Sequence, residues 1–284
     1  MKRRPRTTRH APHKALRRAT AALLGLGTMA ATAIAHAQPF LGGRPIDVSL
    51  DGHRSDWLFD VTTLSVTVLF VIMVAIILIA TTMHRDKPGR EAHYDHGIGR
   101  SHLLLTAAIS SVIFFGVDGV LLASSFTSLH EGFWKFPASN QAVDIEVEAQ
   151  QWGWNIRYPG PDGKFNTPDD VIRFNEMAIP VNKPVLVKLK SKDVIHSFYL
   201  PNFRTKQDAV PGQITKLWFE AVQTGSFEIG CAQHCGVNHY KMKGQLNVLS
   251  PEEFQVWLGQ ASADSMRRYD ANDTEAHWGW DWES

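Results

Sequence analysis

Residues 231–242 read CAQHCGVNHYKM, and the rest of the chain is best understood outward from them. Cys231 and Cys235 stand four apart, His239 follows four later, and Met242 three after that. These are the only 2 cysteines among 284 residues. Soft ligands at such density select copper, because thiolate and thioether stabilise Cu(I) while imidazole suits both copper oxidation states. Three other readings compete. Two cysteines in an exported domain ordinarily pair as a disulfide. A structural zinc site would take the Cys and His but has little use for Met242. A single blue copper needs one Cys, two His and a weak axial Met, which leaves a cysteine over. Two thiolates bridging two coppers leave no ligand over.

Upstream stand DVIHSFYLP, residues 193–201, which carries His196, and KQDAVPG, residues 206–212, which carries Asp208. With the pattern C-x-x-x-C-G-x-x-H-x-x-M, these stretches resemble the binuclear copper (CuA) domain of subunit 2 of haem-copper cytochrome c oxidases. The resemblance runs from the first apolar span to about residue 250. It implies an N-terminal two-helix transmembrane hairpin followed by an all-β cupredoxin-like sandwich or barrel. It also implies a ligand set: Cys231 and Cys235 bridge both coppers, His196 and Met242 complete one, and His239 with the backbone carbonyl of Gln233 completes the other. The family's Q-W-x-W stretch matches QQWGWNIRYPG, residues 150–160, and makes Trp152 the surface indole that first accepts the electron. Asp208 matches a position near the junction with subunit 1. The implied partners are cytochrome c or an equivalent small redox protein, subunit 1, the other oxidase subunits and the lipid bilayer.

The chain departs from the family at three places. Gln233 stands where a Glu usually reaches a magnesium at the subunit 1 junction, so that metal is expected to be weakly held or absent. Gly153 and Asn155 replace aromatic and hydroxyl residues near Trp152, which changes the docking surface. Residues 99–110, GRSHLLLTAAIS, lack the Glu-Trp-Pro that helps admit protons to subunit 1, which puts that role in doubt for this chain.

Residues 1–37 read as a cleavable signal peptide. Lys2, Arg3, Arg4, Arg6, Arg9, Lys14, Arg17 and Arg18 precede an apolar run, and Ala35-His36-Ala37 is a cleavage site. The alternative, a basic nucleic-acid arm, has no use for that apolar run, and no nucleic-acid partner is expected. Residues 38–57 form an outer segment, 58–83 a first transmembrane helix, 84–102 a cytoplasmic loop and 103–128 a second helix. Val61 to Met83 carries no charge over a length that exceeds the ~20 residues needed to cross a bilayer. Arg85, Lys87, Arg90 and Arg100 in the loop, against Arg44 and Arg54 outside, place the loop in the cytoplasm and the rest in the periplasm of a bacterial inner membrane. Asp118 interrupts the second span and reads equally as a functional carboxylate or as part of a wet helix end. His84, His93, His96 and His102 read as a solvated loop rather than a metal site.

Residues 129–250 form the exported domain. Val143, Ile145, Val147 and Ala149 alternate with polar residues, as do Val185 to Leu189, Leu217 with Phe219, Phe227 with Ile229, and Leu246 with Val248. That period predicts half-buried strands in an antiparallel sandwich or barrel, with the ligand loop between two of them. GPDGKFNTPDD, residues 160–170, reads as a turn-rich hairpin insertion, with calcium the minor alternative. Residues 251–284 supply a capped amphipathic helix and an acidic aromatic tail. From 131 onward the chain holds 15 Lys plus Arg against 20 Asp plus Glu, a net of −5, which steers basic partners. With no further cysteine, a fused cytochrome with a C-x-x-C-H haem site is excluded.

These features imply the electron-accepting subunit 2 of a bacterial cytochrome c oxidase, an oxidoreductase and translocase whose oxygen chemistry lies in subunit 1. Three rivals remain: the corresponding subunit of a nitric oxide reductase, a copper carrier or assembly protein with an exchangeable site, and a quinol oxidase subunit, which shares the fold without the ligands.

Overall fold

The computed structural model describes residues 43–89, 91, 94–268 and 272. The signal-peptide reading, His93 and the tail HWGWDWES therefore lie outside the described residues.

Helix α1 spans Gly52–Met83, and helix α2 spans Arg100–Trp134 with two π-helical turns, Phe114–Asp118 and His130–Trp134. Both are long and apolar enough to cross a membrane. From Val66 to Met83, α1 is mostly exposed and shows Phe70, Met73 and Ile76 to its surroundings. Asp118 closes the first π-turn and is exposed.

The domain that follows has ten strands in two five-stranded sheets. The first has the order β3-β2-β1-β5-β8, built from Val171–Phe174, Gly153–Tyr158, Val143–Gln150, Pro184–Ser191 and Thr215–Glu220. The second has the order β4-β10-β9-β6-β7, from Glu176–Pro180, Lys243–Leu249, Gly225–Cys231, His196–Leu200 and Thr205–Ala209. Ile145, Val147, Val187, Leu189, Phe198, Ile229 and Leu246 are wholly buried in one core. The sandwich matches the expectation, but the purely antiparallel pairing does not. β1 runs parallel to β5 and β4 runs parallel to β10. Local alternation fixes which face of a strand is buried and carries no information about the direction of its neighbour.

Three devices close the edges of this domain. Residues before α1 are stitched to it: Val48 N–H donates to Asn202 O, Val222 N–H to Val48 O, and Leu50 N–H to Glu220 O. Within the same unit, the Arg204 guanidinium grips Asp56 at 2.8 and 3.0 Å. Helix α3, Pro251–Arg268, opens on a capping box in which Glu253 N–H donates to Ser250 Oγ and Ser250 N–H to Glu253 Oε2. Phe254 of α3 is buried, and Trp257 meets the Tyr158 ring edge-on at 5.2 Å.

The β2–β3 hairpin carries the Asp-rich insertion. Its carboxylates serve the loop itself: Asp162 Oδ1 accepts from Lys164 N–H, Asp169 Oδ2 from Asp162 N–H, and Asp170 Oδ2 from Asn166 N–H. Beneath it lies a buried ionic group. Arg157 binds Glu146 through two guanidinium nitrogens and lies 3.6 Å from Asp170. Glu146 and Arg157 are each 1 % exposed. Burial pushes both carboxyls above the usual range, and Arg157 works against that rise.

Candidate metal centre

Three neighbouring strands of the second sheet deliver the donor atoms. β9 ends at Cys231, β10 begins just after Met242, and β6 begins at His196 beside β9. The intervening loop turns at Gly236, whose φ of +124° suits glycine. A Cβ there would lie 2.9 Å from Gln151 Nε2 and 3.2 Å from Trp152 Cζ2, so glycine also admits those two side chains. A short 3₁₀ turn, His239–Lys241, then sets His239 inward.

The donor atoms converge. Cys231 Sγ and Cys235 Sγ are 3.8 Å apart, Cys235 Sγ is 3.5 Å from His239 Nδ1 and 3.7 Å from Met242 Sδ, and Met242 Sδ is 3.2 Å from His196 Nδ1. The Gln233 carbonyl lies 3.2 Å from Cys231 Sγ. The ligating atoms of His196, Cys231 and Cys235 lie within 4.8 Å of one another. Both cysteines are free thiols, and their separation far exceeds the ~2.0 Å of a disulfide bond. Two thiols, two imidazoles, a thioether and a carbonyl around one space fit copper, and Met242 among them fits zinc poorly. His84, His96 and His102 are exposed in their segment and are not part of this group.

Electrostatics favour a cation. Burial pushes the Cys231 thiol up, but hydrogen bonds to His196 and to the backbone at Ser197 outweigh it and bring it to about 6. Cys235 is pushed up to about 12 by burial and by the Cys231 charge beside it. The two values belong to the pair: it takes one negative charge readily and resists the second until a positive ion neutralises the first.

Two side chains outside the ligand set define its surroundings. Asp193, three residues before His196, binds His196 Nε2 at 2.8 Å through Oδ1, while its carboxylate also accepts from Gln151 N–H at 2.7 Å and Val194 N–H at 2.6 Å. Burial opposes its charge, yet these donors, His196 first, hold the carboxyl below the usual range. With Nε2–H directed at Asp193, Nδ1 is the His196 nitrogen that faces the site. Gln151 Nε2 donates to Cys235 O at 2.8 Å, and Trp152 Nε1 to the same oxygen at 3.3 Å. Neither Asp193 nor Gln151 is marked by sequence reading; the signal available was an acid three residues before a ligating His.

Trp152 lies in the turn before β2 and is half-buried, whereas Trp154 is fully buried, edge-on to Phe198 at 5.2 Å and to His196 at 6.1 Å. Asp208 lies on β7 opposite Ser197, its carbonyl accepting from Thr215 Oγ1, and it does not join the donor cluster.

Two β-sheets with a cluster of soft donors at the end of one, on a chain with two helices long and apolar enough to cross a membrane, define a candidate metal-binding β-domain. The model of the cytochrome c oxidase subunit II periplasmic domain matches residues 143–248. The alternative cytochrome c oxidase subunit 2 of Bradyrhizobium diazoefficiens is 33% identical over 215 residues, covering 67% of this chain and 75% of that protein. Cytochrome c oxidase subunit 2 of Cereibacter sphaeroides is 32% identical over 149 residues, covering 42% of this chain and 49% of that one. The solved periplasmic domain of subunit II of cytochrome oxidase from Bradyrhizobium japonicum is 34% identical, with a TM-score of 0.40, and covers 46% of this chain and 99% of that domain. The chain belongs to the cytochrome c oxidase subunit 2 family. It is accordingly a subunit of an oxidoreductase complex, with a candidate copper site at His196, Cys231 and Cys235.

Proposed function

We propose that this chain is the electron-accepting subunit of a bacterial cytochrome c oxidase and that its centre is a binuclear copper (CuA) site. The observation that carries the reading is the second thiol, Cys235, 3.8 Å from Cys231 and within reach of His239 and Met242. A one-metal site has no use for it. Cys231 and Cys235 would hold both coppers, His196 and Met242 one, and His239 with the Gln233 carbonyl the other. Held by these donors, copper would supply a one-electron carrier whose ligands, fixed on strands and a short loop, would need to move little on reduction.

The protein's own residues do the rest. Trp152 receives the electron from docked cytochrome c and is joined to Cys235 through its indole N–H and the Cys235 carbonyl. Asp193 fixes the orientation of His196, and Trp154 with Phe198 keeps that side of the site apolar. The electron continues to the haem of subunit 1, where oxygen is reduced and protons are translocated, with Asp208 near that junction. Gln233 presents an uncharged amide where a carboxylate would help hold magnesium, so the magnesium link is weak or absent. Residues 1–37 are removed, 58–83 and 103–128 cross the inner membrane with 84–102 inside, and the 129–250 domain with the 251–284 extension faces the periplasm.

The test uses the full-length chain in detergent, loaded with copper. Two coppers per chain are expected, with a spin-resonance hyperfine pattern from one electron on two equivalent nuclei. One copper per chain, or copper lost to a mild chelator, would overturn the reading in favour of a blue site or a carrier.

A further inference from the structure

The start of α1, the end of α2 and strand β8 enclose a cavity of about 420 Å³, a size typical of small-ligand sites. Asp51, Arg54, Ser128, Arg204, Trp218 and Glu220 line it. Its chemistry is two-sided. Arg54, bound to Asp51 at 3.1 Å, and Arg204, bound to Asp56 at 2.8 and 3.0 Å, bring guanidinium groups with further N–H donors, and the Trp218 indole N–H is buried with no hydrogen-bond partner, a donor that an anionic oxygen would satisfy. Against these stand Asp51 and Glu220. Glu220 and Asp51 are two carboxylates that share one cation, Arg54 on Asp51 at 3.1 Å, and burial together with the Asp51 charge pushes the Glu220 carboxyl above the usual range, so this side has room for a second cation.

A second cavity, of about 470 Å³, shares Arg54 and Ser128 and is walled by Trp57, Ala123 and Thr127 of the two helices. If the helices span a bilayer, both cavities lie at the level of the outer headgroups, where Trp57 and Trp134 are exposed as interfacial aromatics are.

We propose that the paired cavities hold a phospholipid whose headgroup carries both a phosphodiester and a primary ammonium, of the phosphatidylethanolamine class. The phosphate lies against Arg54, Arg204 and the Trp218 N–H, the ammonium lies between Asp51 and Glu220, and the acyl chains leave past Trp57 and Ala123. A choline headgroup has no N–H to offer the carboxylates, and a glycerol headgroup has no cation. This site rests on the membrane placement of the helices and not on the copper reading, since lipid retention and copper content are measured separately.

The delipidated full-length chain is titrated with phosphatidylethanolamine, phosphatidylcholine and phosphatidylglycerol of identical acyl chains, and retained lipid is counted by native mass spectrometry. Ethanolamine lipid is expected to be retained about tenfold over choline lipid, the order set by one charge-assisted hydrogen bond. Glu220→Gln is expected to bring that ratio towards one while phosphatidylglycerol retention persists, and Trp218→Phe to weaken all three alike. Unchanged copper content in each variant reports an intact fold. Equal retention of the three lipids, or a ratio that neither Glu220→Gln nor Asp51→Asn moves, would overturn the proposal. So would full displacement by phosphoethanolamine, which would place a soluble phosphate ester there, or loss of the bound lipid in the assembled oxidase, which would mean that another subunit fills the cavity.

Discussion

Asp193 touches no candidate copper donor except His196, yet it fixes which nitrogen of that ring faces the centre. Its own oxygens are held by Gln151 N–H and Val194 N–H, so the acceptor is set before any metal arrives. Asp193→Ala is expected to leave the sandwich folded and to weaken copper binding by about 10–100-fold, the usual cost of losing the group that orients a ligating His. Competition against a chelator of known affinity measures it, and an unchanged affinity would show that Trp154 and Phe198 suffice to hold the ring. The clustering of Cys231, Cys235, His239 and Met242 was legible because soft side chains at short spacing have few other uses, whereas His196 was marked only by the family resemblance. Asp193 was not, because an Asp three residues before a His is an ordinary loop residue until the fold points both side chains at each other.

Among the elements, the β2–β3 insertion does more than fill a gap. It lies over Arg157, Glu146 and Asp170, whose charges would otherwise face water, and Phe165 stacks over the guanidinium at 5.4 Å. Removing the cation from such a group by Arg157→Leu is expected to cost about 3–5 kcal/mol near neutral pH. The sign of its pH dependence follows from the carboxyls. Burial raises their folded pKa, so the stability they contribute is present at low pH and lost as pH rises through that folded value. Without Arg157 they rise further. The deficit of the variant relative to the parent should therefore shrink as pH falls toward the ordinary carboxylate value of about 4, measured by denaturant unfolding at several pH values. The strands that sequence reading found, β1, β5, β8, β9 and β10, carry apolar residues at alternate positions, although β1 is not half-buried as expected: Glu146 and Glu148 on its polar face are buried too. β6 begins with buried His196 and Ser197, β7 is polar TKQDA, and β4 is buried along most of its length, so none of these shows the two-residue period.

The assembly sets the last constraint. Gln233 is exposed while its carbonyl faces Cys231, so its side-chain amide can be exchanged without disturbing the Cys231 contact. The purified complex is expected to lack stoichiometric, tightly held magnesium. Gln233→Glu is expected to introduce it, read as magnesium per oxidase by metal analysis; tight magnesium in the parent complex would refute this. The two long apolar helices were legible because uncharged runs of that length have few other structures open to them. The stitching of residues 46–50 to β8 was not, since main-chain hydrogen bonds leave no mark in side-chain pattern.

The last rung of the β9–β10 ladder before the donor loop pairs Gly230 directly with Lys243, and Cys231 stays paired with Phe198 of β6. The ends of the loop are therefore clamped by the ladder whatever lies between, and the loop behaves as a cartridge seated in a fixed socket. Exchanging residues 231–242 for a single-cysteine, blue-copper loop should leave the strand register intact and change the colour and metal count of the protein. The identity of the metal would then be a property of twelve exchangeable residues and one permanent histidine, His196.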